Sequence, residues 1–126
     1  MHRKIAVLSA GTLLLAGVSA QVLAHHGWGG QERSQMDISG TVHTAAEISG
    51  PHGTMQIEDE NGRIWDITLA SGRRAQRAGL VDNVFPAGAE VIVRGNRNSD
   101  PDRFELKSVR VTMDGKDFDL YPERLD

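Results

Sequence analysis

The chain has no cysteine. A disulfide staple, a thiol nucleophile and a lipid-anchoring thiol are therefore all excluded. Aromatic residues amount to only 5% of the chain. There is no excess of positive charge either, since 14 basic side chains face 17 acidic ones. That balance argues against a polyanionic partner such as nucleic acid. No hydrophobic run after residue 24 reaches transmembrane length. Catalytic signatures are missing as well: there is no nucleophile elbow, zinc-protease helix or phosphate-cradling glycine loop. The Asp59-Glu60-Asn61-Gly62 stretch lacks the rest of a calcium loop. The chain is thus expected not to be an enzyme.

What is present begins with an unusual first segment. Arg3 and Lys4 precede an apolar run over residues 5–18, and Val22-Leu23-Ala24 places small or medium residues at the −3 and −1 positions. This is the layout of a secretory signal peptide over residues 1–24. Val18-Ser19-Ala20 also satisfies the cleavage rule, so processing after Ala20 is the second option. The run is too short to span a ~30 Å hydrocarbon core comfortably. The expectation is an exported, periplasmic, soluble protein, not held by a membrane after cleavage and monomeric or weakly associating. Without Arg3 and Lys4, the 14 basic side chains fall to 12 against 17 acidic ones.

Residues 25–35 are glycine-rich and polar and read as a flexible arm. From residue 36 the pattern changes to strict alternation. Met36, Ile38, Gly40, Val42, Thr44, Ala46 and Ile48 share one face of a long half-buried strand, with Gly40 as the place where a curled sheet bends. Two more strands follow, one carrying Met55 and Ile57, the next Trp65, Ile67 and Leu69, joined by an Asn61-Gly62 hairpin. A helix of about two turns is expected between a Ser71 cap and Gly79, with Leu80 in apolar contact after it and Arg73, Arg74 and Gln76 facing solvent. A fourth strand carries Val91 and Val93. A fifth, over residues 103–113, changes phase between Phe104/Leu106 and Val109/Val111/Met113, which implies a bulge near Lys107-Ser108. After an Asp114-Gly115 turn, Phe118 and Leu120 form a short last strand. The predicted core is Ile38, Val42, Ile57, Trp65, Ile67, Leu69, Val91, Val93, Phe104, Leu106, Val109 and Val111. Three strands, a helix, then two or three strands is the order of an all-β OB-like barrel over residues 36–126.

In this order the motifs Ala24-His25-His26, Ile38-Ser39-Gly40-Thr41-Val42, Gly50-Pro51-His52, Arg77-Ala78-Gly79-Leu80, Pro86-Ala87-Gly88-Ala89-Glu90-Val91 and Asp114-Gly115-Lys116 occur. The chain thereby resembles the bacterial domain-of-unknown-function family 6152. It departs from that pattern at Gly27-Trp28, at Gly50 in place of Asn, and in lacking a Trp shortly before the Pro51 turn. The resemblance implies export and a small barrel, and brings no established activity with it.

Four histidines remain after processing: His25, His26, His43 and His52. Cleavage after Ala24 makes His25 the first residue, and its α-amine and ring nitrogen then form a chelate. That amine deprotonates easily, with a reference pKa of about 7.7–8.0. Nitrogen donors in a plane suit copper, which also tops the divalent affinity series, so the first expected function is a periplasmic copper or divalent-metal carrier or buffer. His52 on the turn is the first remote donor and His43 the second. Met36, Met55 and Met113 lie on inward strand faces and read as core, not as soft ligands. The competing function is a binding module without metal, taking a partner protein or small ligand on the barrel. For nucleic acid the outward positions of strands two and three are wrong. Thr54, Gln56, Glu58, Ile64, Asp66 and Thr68 include no aromatic and no base, and two are acidic.

Overall fold

The computed structural model describes residues 27–126. The segment expected as a signal peptide, His25 and His26 lie outside the described residues. Six strands and one short helix follow one another: β1 (Met36–Glu47), β2 (Thr54–Asp59), β3 (Ile64–Thr68), α1 (Gly72–Ala78), β4 (Glu90–Arg97), β5 (Glu105–Met113) and β6 (Lys116–Asp119), then a 3-10 turn at Pro122–Arg124. β1 pairs antiparallel with both β2 and β4, and β4 pairs antiparallel with β5. A short parallel pairing of β3 with β5 closes the sheet. Five strands closed in the order 1-2-3-5-4, with a helix between the third and fourth, make an OB-like barrel. β6 folds back onto β5 as an added hairpin strand.

β1 serves two neighbours and must curl. It does so at two register shifts against β2, one between Val42 and Thr44, the other between Thr44 and Glu47. The first leaves His43 as an extra residue, a bulge that bends the strand. The bend expected at Gly40 therefore sits farther along. Gly40 instead permits a close approach. A Cβ there would lie 2.5 Å from the Glu58 carbonyl oxygen, so only glycine lets β2 come this near. In β5 the phase change is real. Arg94 faces Arg110 while Gly95 faces Ser108, which makes Val109 the extra residue. Ser108 and Val109 are consequently both buried.

Most inward positions behave as the alternation requires, and eleven of the twelve predicted core side chains are buried. Thr44, expected on the inward face of β1, is instead exposed, because the register shifts on either side of it turn it outward. Phe104 is the twelfth of the predicted core. It is half-buried, with its ring edge-on to Trp65 at 5.4 Å and the Arg63 guanidinium 3.9 Å above it. Met55 is buried, while Met36 and Met113 are half-buried against the core. Phe85, Phe118, Leu80 and Leu120 complete the interior, with Phe85 and Phe118 edge to face at 5.1 Å. α1 ends where expected: Gly79 takes φ 86°, and the Leu80 amide bonds back to the Ala75 carbonyl at 2.9 Å. Ser71 stands at the cap position but its side chain makes no capping bond. Arg74 does not point to open solvent; it donates to the Leu120 carbonyl at 3.1 Å, pairs with Glu123 at 2.8 Å and lies over the Tyr121 ring.

The β2–β3 hairpin is organised by Asp59 rather than by the Asn61-Gly62 pair alone. One Asp59 carboxylate oxygen accepts from the Asn61 and Arg63 amides, the other from Trp65 Nε1 at 3.0 Å. These bonds, that of Trp65 first, hold its carboxyl below the usual carboxylate range. The segment expected as a flexible arm is, over residues 27–35, tied along β4. Gln31 bridges Asn98, the Glu32 amide donates to the Arg97 carbonyl, and the buried Asn96 amide group donates to the carbonyls of Glu32, Arg33 and Ser34. The end of β4 is thereby covered, which removes an exposed edge.

Candidate ligand groove

Curling β1 and closing β3 on β5 brings the outer faces of four strands together. Thr44 and Glu47 come from β1, Thr54 and Gln56 from β2, Asp66 and Thr68 from β3, and Glu105 and Lys107 from β5. With Gln31 from the docked arm they line a groove of about 700 Å³. Its floor is a cross-strand chain of hydrogen bonds. Thr44 Oγ1 donates to Gln56 Oε1 at 2.8 Å, and Gln56 Nε2 donates to Asp66 Oδ1 at 2.8 Å. Such a chain fixes the direction of each group, so a ligand meets donors and acceptors already oriented.

The charges in the groove are unequal. Glu47, Asp66 and Glu105 are acidic, and Lys107 is the one base among its lining residues. The Ser49 hydroxyl and amide hold the Glu47 carboxyl below its usual range. Glu105 accepts from Asn98 Nδ2 at 2.9 Å and faces Arg103 at 3.5 Å. Lys107 is different: burial first, and the neighbouring Arg124 second, push its pKa below the ordinary lysine range. Its Nζ donates to the Gly27 carbonyl at 3.1 Å and lies 4.4 Å from the Trp28 ring centre. A second depression of about 490 Å³ lies beyond β1 and β4, among Glu60, Glu90, Asp114 and the exposed Ile92. It has three carboxylates, no base and no comparable chain of bonds among its lining residues.

The sequence-predicted metal residues are not assembled among the described residues. His43 projects from the β1 bulge and His52 from the β1–β2 loop, and both are exposed. No group of three His, Cys, Asp or Glu able to hold an ion is found among the described residues. His25 and His26 fall outside them. Of the groove residues, Thr54, Gln56, Asp66 and Thr68 were legible as outward positions. Thr44, Glu105, Lys107 and Gln31 join them only through the curl of β1, the β3–β5 seam and the docked arm. No helix of the described residues is long and apolar enough to cross a membrane.

No family model matches the chain, and no curated protein matches it. Among solved structures it is similar to TiaS, a tRNA agmatidine synthetase. A TiaS mutant in complex with agmatine is 14% identical, with 63% of this chain and 21% of that chain covered and a TM-score of 0.48. The complex of TiaS with a tRNA and ATP is 15% identical, with coverages of 63% and 18% and a TM-score of 0.48. The structure of yeast Stn1 and Ten1 is 17% identical, with coverages of 63% and 42% and a TM-score of 0.47. The chain thus spans less than half of each of these proteins. At this level of likeness nothing of their substrates passes to it.

Proposed function

We propose that this chain is an exported OB-like binding module, without catalysis of its own, that takes a small polar ligand or a partner's polar segment in the β1–β2–β3–β5 groove. The observation that carries the reading is the Thr44–Gln56–Asp66 chain of bonds across the groove floor. Ordered hydrogen-bonding groups in a concavity of this size are the usual means of orienting a ligand. The absence of aromatics and the three carboxylates of the lining favour neutral or cationic polar groups over stacked bases and a phosphate backbone. Copper capture at His25 is the less favoured function. It needs His52 or His43 as a remote donor, and among the described residues these two are exposed on separate elements and belong to no group of three able to hold an ion.

The test is an NMR fragment screen on isotope-labelled protein, with the Cu(II) titration beside it. Polar fragments are expected to shift the amides of Thr44, Gln56, Asp66 and Thr68 together. Gln56→Leu, which cuts the chain of bonds in its middle, is expected to abolish those shifts while leaving the fold intact. Shifts gathered around Ile92 instead would remove the groove from consideration. Tight Cu(II) binding that is lost when one extra residue precedes His25 would replace this reading with the copper carrier.

A further inference from the structure

At one end of the groove Trp28, Lys107, Tyr121 and Arg124 meet. Lys107 Nζ lies 4.4 Å from the Trp28 ring centre and Arg124 Cζ lies 4.2 Å from the same centre. Tyr121 stands edge-on to Trp28 at 5.0 Å, and Lys107 is 5.9 Å from its centre too. Two cations therefore share one indole. Like charges so placed repel, and in the ion pairs of the described residues neither takes part: the carboxylates pair with Arg74, Arg94, Arg103 and Arg110. The nearby Arg74 is already matched by Glu123. The first 26 residues contain no Asp or Glu that might supply the missing charge. The indole face attracts each cation but neutralises neither.

The cluster is also held in place. Gln35 Nε2 donates to the Arg124 carbonyl, which anchors the turn carrying Arg124. Lys107 sits in β5 beside the closing seam, and its bond to Gly27 uses one of three donors, leaving two. Half-buried Trp28 limits water on one side. This sets a half-buried, oriented Lys107 beside an exposed Arg124, two cations with donors to spare, which is what an oxyanion needs.

We infer that Lys107 and Arg124, braced on Trp28, form a binding site for a single oxyanion, the carboxylate or phosphate of a small ligand. The inference deepens the groove reading, because Lys107 lines both places. A ligand reaching from one to the other carries an anionic group at the Trp28 end and a neutral or cationic polar body along the floor, where Glu47, Asp66 and Glu105 turn away further negative charge.

The probes are inorganic phosphate and acetate, each titrated at low ionic strength into isotope-labelled protein recovered after expression of the full chain, with chloride at matched ionic strength as reference. Saturable shifts of the Trp28 indole N–H and of the Lys107 and Arg124 amides are expected with phosphate or acetate, and not with chloride. Which of the two saturates at lower concentration identifies the source of the oxyanion. Lys107→Met and Arg124→Met are each expected to weaken binding by about tenfold or more, whereas Lys107→Arg keeps it within about threefold because it keeps the charge. A thermal melt on each variant confirms folding. Shifts that are linear and equal to those of chloride would overturn the site, as would binding that survives in the double Met variant. The groove reading is judged separately, by polar fragments at Thr44, Gln56 and Thr68, so either can fall while the other stands.

Discussion

The barrel closes through its weakest seam, and Ser108 is the place to test it. β3 and β5 meet through only three residue pairs, Asp66 with Glu105, Ile67 with Leu106 and Thr68 with Lys107. They run parallel, the less stable pairing per residue. Ser108 follows directly, fully buried, and its hydroxyl donates across the seam to the Thr68 carbonyl at 2.7 Å. The Val109 bulge is what turns this side chain inward. Ser108→Ala removes the hydrogen bond and leaves a space smaller than a water molecule. A net hydrogen bond is worth about 1 kcal/mol, and an acceptor left unmatched raises the cost to about 1–3 kcal/mol. The expected loss is thus about 1–2 kcal/mol, or roughly 5–15 °C in Tm for a domain of this size. Urea unfolding followed by circular dichroism measures it, and the slope with denaturant should stay unchanged, since the same surface is exposed. Hydrogen exchange supplies the local reading. The Asp66 amide, bonded to the Phe104 carbonyl at 2.9 Å across the seam, should exchange faster, while the Val93 amide between β1 and β4 should not. A variant within about 0.5 kcal/mol of the parent, with Asp66 exchange unmoved, would refute the claim that this hydroxyl secures the closure.

Three further outcomes are expected. Ile67→Ala, at a site 1% exposed, should cost about 2–5 kcal/mol by the same urea assay. Asp59 has a folded-state pKa below its unfolded one, so its stabilising contribution is present above the ordinary carboxylate value of about 3.9 and is lost as the pH falls through the folded value. The stability advantage of the parent over Asp59→Asn should accordingly shrink on acidification, and an advantage that stays constant down to full protonation would contradict the link. If the proposed export holds, mass spectrometry of protein from the periplasmic fraction should find His25 or Gln21 at the amino terminus, and recovery of Met1 in the membrane fraction would show an anchor instead of a signal peptide.

Strand faces were legible in the sequence because alternation has a period of two and burial follows it directly, from Ile38 and Val42 through Val109 and Val111. The helix stop at Gly79 was legible because a left-handed position selects glycine. Bulges were legible only where they disturb the pattern. The one at Val109 puts two neighbouring residues inside and so shifts the phase, whereas the one at His43 leaves Val42 and Ala46 in phase and stays hidden. Phe85 was missed for a related reason: it lies in an aperiodic connection, yet it is fully buried and its carbonyl accepts from the Ala46 amide of β1. The docked arm was missed because its glycines indicate freedom, while what binds it is backbone: Arg97 and Asn98 on one side, the carbonyls taken by Asn96 on the other. The candidate site divides the same way. Gln56 and Asp66 declare themselves as outward polar residues on adjacent strands. Trp28 and Lys107 stand far apart in the sequence, and only the closed barrel and the docked arm together put a cation on that indole. Composition therefore described the acidic body of the protein correctly, and the local reversal of that charge around Trp28 is a property of the fold.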